Sequence, residues 1–206
     1  MHTGAHYSRL LSIVNYVYNH RAAKSSLTPM TTPVYCFPPI EDSTARILIL
    51  GSMPGMASLR AAQYYAHPRN VFWKIMGELT GAGPETPYGL RTLILKSAGI
   101  SLWDVLASCK RPGSLDSDIS SILPNDFETF FLNHPHISQV CFNGAMAEKC
   151  YQKSVLPRLS PRSMHCQRLP STSPAHASLS YEQKLSAWRA VVPVFQAQQA
   201  TPDAVK

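Results

Sequence analysis

Short apolar runs alternate along this chain with stretches in which apolar residues recur every three or four positions. The clearest run is Ile47, Leu48, Ile49 and Leu50: unbroken, partly β-branched and cut off by Gly51. A strand buried on both faces of a parallel sheet reads this way. Downstream, Phe72, Ile75, Met76 and Leu79 keep the i, i+3, i+4, i+7 spacing of a helix, which should begin at Asn70 and end near Thr80 and Gly81. A Gly/Pro loop leads to a second helix over residues 90–98, stopped by Gly99, and then to a second strand over residues 100–105. Residues 108–116 read as a loop with two cations, Lys110 and Arg111, near its start. A short helix over residues 126–133 carries Asp126 and Glu128 in its first turn, which suits the positive end of its dipole.

Val140, Cys141 and Phe142 form the third strand, ending at Asn143 and Gly144, and residues 145–154 a helix. Gln167, Arg168 and Leu169 make a weak fourth strand that runs into a Ser/Pro loop. The last helix, from about Ser180, stacks Tyr181, Leu185, Trp188, Val192 and Phe195 on one face. Pro193 should kink or end it, because proline removes a backbone donor.

Strand and helix alternate throughout, so the expected fold is α/β: a three-layer α/β/α sandwich around a mostly parallel four-stranded sheet. At 206 residues the chain fits one domain. That domain is expected over residues 30–195. Residues 1–29 read as an extension, either poorly ordered or produced by the choice of start site, because a second methionine, Met30, precedes the first convincing pattern. Pro38 and Pro39 keep the chain extended up to the first strand. Residues 196–206 are a polar tail.

In such a sheet the strand ends converge on one edge, the usual ligand site. Here that edge would carry Ser52 and Met53, Asp104, Asn143, and the loop from Ser171 to His176. The turn after the first strand, Gly51, Ser52, Met53, Pro54 and Gly55, has two glycines and a proline in five positions, so its backbone can come close to a ligand. Two tyrosines, Tyr64 and Tyr65, follow, and then Ala66, His67, Pro68, Arg69 and Asn70.

A formal net charge of +7 favours a polyanionic partner, such as nucleic acid or an anionic membrane. The five cysteines form no C-x-x-C pair, which argues against a zinc site, an iron–sulfur cluster or a disulfide framework and points to a reducing compartment. No stretch approaches the roughly 18 apolar residues of a membrane span. Asn15, Asn19 and His20 interrupt the apolar stretch that an export signal would need, so a cytoplasmic protein is expected.

Taken together, the Gly51–Gly55 turn, the segment Tyr65-Ala66-His67-Pro68-Arg69-Asn70 with Phe72 and Trp73, and the block from Ser171 to His176 resemble the uracil-DNA glycosylase superfamily. The likeness covers roughly residues 34–195 and is nearest to the hypoxanthine-DNA (deoxyinosine) glycosylase branch, family 6. It implies an α/β/α fold, DNA containing a deaminated base as substrate, no metal or other cofactor, a monomer, and hydrolysis of an N-glycosidic bond. One departure matters. Other branches place Asn at the third position of the first motif, or Asp slightly later, to position or activate water; this chain has Met53. The resemblance to the hypoxanthine branch transfers the catalytic amide to Asn70.

Base release needs a flipped nucleotide, held by stacking and phosphate contacts. Tyr65 is the expected stacking residue. Asn70 would hold the water, and His67 or His176 would donate a hydrogen bond to the departing base. Ser52, Met53, Pro54, Gly55, Asp104 and Asn143 would line the base pocket, and Arg69, Ser171, Ser173, Pro174 and His176 would meet DNA. Each has a plainer rival. Asn70 suits a helix N-cap, the two tyrosines suit a core, Asp104 suits a turn cap or a pair with Lys110, and Asn143 before Gly144 is a common turn pair. Lys110, Arg111, Arg158 and Arg162 suit a solvated face. Three readings stay open: hypoxanthine release, uracil release from G·U pairs, or a catalytically silent nucleic-acid binder that keeps the fold.

Overall fold

The computed structural model describes residues 33–111 and 119–192. It opens with a short strand, β1 (Pro33–Tyr35), followed by β2 (Ile47–Gly51), α1 (Met56–Ala61), α2 (Phe72–Thr80), α3 (Tyr88–Ser97) and β3 (Ile100–Asp104). Then come β4 (Leu106–Lys110), β5 (Ser120–Pro124), α4 (Phe127–Asn133), β6 (Gln139–Asn143), α5 (Ala145–Ser154), a 3₁₀ turn (Leu156–Arg158) and β7 (His165–Leu169). The last elements are α6 (Tyr181–Trp188) and a 3₁₀ turn (Arg189–Val191).

The main sheet has four parallel strands in the order β3-β2-β6-β7. Because side chains alternate along a strand, β2 divides the core in two. Ile47 and Ile49, with Ile100, Leu102 and Cys141, pack under Phe72, Ile75 and Met76 of α2, Leu95 of α3 and Trp188 of α6. Leu48 and Leu50, with Val140 and Phe142, pack under the α4 aromatics and Cys150 and Tyr151 of α5. These are the three expected layers. Helix ends obey local chemistry: Asp126 accepts the Thr129 N–H at 3.1 Å, Ser180 and Gln183 form a reciprocal capping box, and Gly81 closes α2 with φ +88°.

One expectation needs correction, and two further elements go beyond what was expected. Residues 108–110 are not loop but the end of β4, which pairs antiparallel with β1 and β5 in a second, three-stranded sheet. Polar Ser108 and Lys110 hide this strand, since only its Leu106 and Cys109 are buried. Ahead of the extended stretch at Pro38 and Pro39, Pro33–Tyr35 is the edge of that sheet. The segment after the first motif, for which the sequence suggests no element, coils into α1, too short to show a periodicity. The expected extension over residues 1–29, the tail over 196–206, Pro193, Phe195 and most of the loop after Arg111 lie outside the described residues.

Candidate active site

The hydrogen-bond register brings three chemically telling positions into one row. Gly51 of β2 lies opposite Asp104 of β3, and one step beyond the Leu50–Phe142 pair it lies beside Asn143 of β6. All three share the parity of Ile49, Leu102 and Cys141, so they point to the α2 side of the sheet. Gly51 contributes no side chain between its neighbours. A Cβ there would collide with an Asp104 carboxylate oxygen and lie 3.0 Å from the Tyr65 hydroxyl, so both groups lean over the glycine. Backbone bonds fix the row: the Val105 N–H donates to Gly51 O at 2.8 Å, the Leu106 N–H to Ser52 O at 3.2 Å, and Asn125 Nδ2 to Asp104 O at 2.8 Å.

Above this floor opens a cavity of about 250 Å³. The first-motif loop forms one wall, Tyr65, His67 and Asn70 another, and Ser171, Thr172, Ser173 and Pro174 a third. Of the residues expected at the site, Ser52, Met53, Pro54, Gly55, Tyr65, His67, Asn70, Asp104, Asn143, Ser171, Ser173 and Pro174 all line it. Met53 is 7% exposed and also belongs to the core on the α4 side, so its side chain supports the loop from beneath.

Two expected residues stand apart from the lining. Arg69 is exposed, and its backbone N–H donates to His67 Nδ1 at 3.1 Å. His176, expected to help the base depart, has its ring Nε2 3.4 Å from Ser178 Oγ at the outer edge of its loop. The reason is local. Its backbone N–H donates to Ser173 O at 3.0 Å, and the Lys184 ammonium donates to its carbonyl at 2.6 Å, which fixes the loop with the ring outside the cavity.

The second wall is the most organised. Tyr65 has φ +54°, a left-handed backbone unusual for a bulky residue. Its ring stacks on Phe72 with centroids 4.1 Å apart and 25° between planes. Phe72 is fully buried, so the tyrosine ring rests on a rigid base. Its neighbour Tyr64 is core: it packs edge-on to Phe37, and its hydroxyl donates to Pro38 O at 3.2 Å. Burial first, and then the Asp104 carboxylate, push the Tyr64 phenol far above its ordinary pKa. Because His67 Nδ1 accepts the Arg69 N–H, the neutral ring carries its proton on Nε2, which is therefore a donor. Asn70 Oδ1 accepts the Phe72 N–H at 3.0 Å, so the amide does serve the start of α2, and its NH₂ is directed by that bond.

The third wall is tied to the other two. Asn143 and Thr172 bond reciprocally: the Thr172 N–H donates to Asn143 Oδ1 and Asn143 Nδ2 donates to Thr172 Oγ1, both at 2.9 Å. The Val71 N–H, next to Asn70, donates to Thr172 O at 3.1 Å. Gly144, with φ +94°, lets this loop settle: a Cβ there would sit 2.9 Å from Ser171 Cβ.

Three supporting residues escape a reading of the sequence. Thr172 is flanked by serines in a motif already singled out, and its position was a usable signal. Arg111, read as part of a solvated face, is 4% exposed, and its guanidinium donates to Pro54 O at 2.5 Å, bracing the first-motif loop. Lys184 is 6% exposed, and burial pushes its ammonium pKa down. Nothing local in the sequence marks either cation as buried. Among the described residues, no group of three or more His, Cys, Asp or Glu side chains is placed to hold a metal ion, and no helix is long and apolar enough to cross a membrane.

Known proteins resemble this chain along most of its length. A model of the uracil DNA glycosylase superfamily matches residues 38–192. A hypoxanthine DNA glycosylase of Methanosarcina acetivorans is 36% identical over 156 residues, covering 75% of this chain and 95% of that protein. One from Methanosarcina barkeri is 41% identical over 109 residues, 52% of this chain and 69% of the relative. The solution NMR structure of a Methanosarcina acetivorans protein provisionally described as a uracil DNA glycosylase superposes with a TM-score of 0.65 at 32% identity, covering 78% of this chain and 99% of that one.

Proposed function

The chain belongs to the uracil DNA glycosylase superfamily, and from that premise we propose that it is a monofunctional DNA glycosylase that releases hypoxanthine from deoxyinosine in DNA. The observation that carries this reading is the meeting of a stacked tyrosine, an amide and a donor imidazole around one cavity at the carboxyl edge of the parallel sheet. Relatives named hypoxanthine DNA glycosylase support the choice of base.

The chemistry follows from the groups present. A flipped base enters the cavity and stacks on Tyr65, whose ring is already held by Phe72; such stacking is worth about 1–3 kcal/mol. The strained backbone of Tyr65 stores of order 1–2 kcal/mol, a cost consistent with holding the ring ready before DNA arrives. The bond from C1′ to N9 breaks, its electron pair leaving with the base, while the sugar takes on oxocarbenium character. His67 Nε2–H donates to the departing base and stabilises the growing negative charge. Asn70 orients the water that adds at C1′; an amide cannot take that water's proton, which passes to the departing base anion through solvent, so the reaction leans on leaving-group stabilisation and turns over slowly. Arg69, at the exposed rim, contacts phosphate, as do the serines of the third wall. The enzyme acts as a monomer in the cytoplasm, where its five free cysteines remain reduced.

The test is a panel of duplex oligonucleotides carrying deoxyinosine, deoxyuridine or deoxyxanthosine, each treated with the protein and then with alkali to cut abasic sites. Deoxyinosine is expected to be cut fastest. Faster uracil release would replace this reading with that of a uracil glycosylase, and salt-sensitive binding with no abasic product from any lesion would leave a silent binder.

A further inference from the structure

Lysine is almost never fully buried unless it is paired, because its ammonium gives up water that little else replaces. Lys184 of α6 is nevertheless 6% exposed, and among the described residues no carboxylate pairs with it. Its ammonium donates instead to His176 O at 2.6 Å. Burial pushes its pKa down, as it does for a cation that has lost water without gaining an anion. Replacing a buried charge by an apolar side chain of similar volume is often neutral or stabilising, so packing alone gives no reason for a lysine here.

We propose that Lys184 is a positioning residue for DNA binding: it clamps the far end of the third-wall loop so that the loop's serine hydroxyls meet the phosphates beside the lesion. The inference rests on the reading that the cavity receives a nucleotide flipped from DNA. One turn further along the same face of α6, Trp188 is fully buried and donates its indole N–H to Pro170 O at 2.9 Å. Pro170 and His176 bracket the stretch that lines the cavity with Ser171, Thr172, Ser173 and Pro174, so α6 grips that loop at both ends. Between the grips, the Ser173 N–H donates to Ser171 Oγ at 3.2 Å and the Ala175 N–H to Ser173 Oγ at 3.3 Å. Each serine oxygen thus accepts a backbone N–H and keeps its own O–H to donate, which is the group a phosphate oxygen takes.

The two grips are not equivalent. Near Trp188 the loop is also tied through Thr172, which bonds Asn143 reciprocally and accepts the Val71 N–H. From Ser173 to Ala177 the loop bonds to itself, through the His176 N–H to Ser173 O among others, and among the described residues the Lys184 ammonium supplies its hydrogen bond to another element. A charged donor makes that bond stronger than a neutral one would, which gives the lysine its reason. Removing it should leave Thr172 and the cavity floor in place and release Ser173 to Ala177. The loss then falls on contacts made to DNA in the ground state and not on the groups at C1′, so binding weakens while the rate from the bound complex holds.

The test compares the wild type with Lys184→Met, which keeps most of the length and loses the donor. Binding is measured by fluorescence anisotropy on a duplex carrying 2′-fluoro-deoxyinosine, which resists cleavage; kcat and KM are measured on the deoxyinosine duplex; amide hydrogen exchange is followed over residues 170–178 and over α6. Lys184→Met is expected to melt within about 2 °C of the wild type or above it. It should bind the duplex about tenfold more weakly and raise KM by a similar factor, with kcat within about twofold, and its exchange should quicken over residues 173–177 but not in α6. Should Lys184→Met fail a near-ultraviolet circular dichroism check of folding, Lys184→Gln, neutral, polar and one atom shorter, is expected to weaken binding in the same direction; failure of both to fold would make Lys184 a structural cation and overturn the assignment. Unchanged binding in a folded variant, a fall in kcat with KM intact, or exchange that quickens in α6 itself overturns it as well. Base release by the wild type with binding unchanged in the variant sinks the clamp and leaves the proposed activity standing. Binding that the variant weakens, without base release by the wild type, sinks the activity and leaves the clamp, and a wild type that binds no DNA overturns both.

Discussion

Asn70 has two jobs in this structure, and one pair of substitutions separates them. Its Oδ1 accepts the Phe72 N–H at 3.0 Å, a bond at the start of α2, and its amide faces the cavity. Asn70→Ala removes both. The lost bond, from the Phe72 N–H to the side chain one residue ahead of the N-cap Val71, costs about 1 kcal/mol, which for a domain of this size lowers the unfolding midpoint by roughly 2–4 °C. Loss of the water-orienting amide is a far larger effect: positioned groups that handle protons or water contribute typically about 10²–10⁴-fold. Even the lower figure corresponds to about 2.7 kcal/mol of barrier. A protein destabilised by 1 kcal/mol is still almost wholly folded at 25 °C, so the cap cannot account for a hundredfold loss of rate. Asn70→Asp keeps an oxygen for the Phe72 N–H, and aspartate makes the same bond to a backbone N–H two residues on as asparagine does. It should recover the midpoint and part of the activity, because a carboxylate can both hold water and accept its proton. The assays are calorimetric melting and single-turnover base release from a deoxyinosine duplex. An Asn70→Ala protein that melts a few degrees lower and releases base at an undiminished rate would show that Asn70 is only a cap, and the catalytic argument would fail.

Three further outcomes follow from the same geometry. Tyr65→Ala should weaken capture of the flipped base by about 1–3 kcal/mol, or roughly 5- to 150-fold in kcat/KM on deoxyinosine duplexes, while Tyr65→Phe keeps the stack on Phe72 and most of the activity. Gly51→Ala should put a methyl into the Asp104 carboxylate and the Tyr65 hydroxyl, destabilising the fold by about 1–3 kcal/mol in urea titration and cutting base release more severely than Tyr65→Phe. Stability should also fall on the alkaline side. Burial pushes the Cys141 thiol from its ordinary 9.0 up to about 11. The unfolded chain therefore loses that proton first, the folded state holds more protons across this window, and stability present below pH 9 is lost as pH rises towards 11. Cys141→Ala should flatten that decline in a pH series of urea melts; an identical slope would show that other groups cause it, such as the phenols of Tyr64 and Tyr151, also raised by burial.

Residues whose neighbours in sequence are also their neighbours in space proved the most legible. Ile47 to Leu50 announces a doubly covered strand because every one of its side chains is buried, and the helix expected over residues 145–154 is Ala145–Ser154. The small sheet was hidden for the opposite reason. Its β5 strand, Ser120–Pro124, is almost wholly exposed, so it shows neither an apolar run nor an alternation. Most of the cavity lining could be named in advance, since parallel strands deliver their carboxyl ends to one edge. Arg111 and Lys184 could not, because a long cation in a polar context looks solvated until the chain that covers it is in place. Nor could the shared row of Asp104, Gly51 and Asn143, since register between strands far apart in sequence is a property of the sheet and not of any one strand.

That row bears on why Met53 need not cripple the enzyme. In this chain the third residue of the first motif goes down into the core, and the loop around it, held by Arg111 at Pro54 O, works as a wall. On the proposed mechanism the amide that meets water comes instead from Asn70 on the opposite side, from an element joined to the third wall by the Val71 N–H to Thr172 O bond. The proposed mechanism thus places the base over the sheet row and the water on a separate wall. Substitutions in the sheet row, at Asp104 or Asn143, should change which base is taken, whereas substitution of Asn70 should change how fast every accepted base is released and leave their order intact. Asp104→Asn combined with Asn70→Ala should then show the altered base preference of the first and the reduced rate of the second. A double variant whose base preference returned to that of the wild type would mean that the two walls act as one, and that the division of labour drawn from this cavity is wrong.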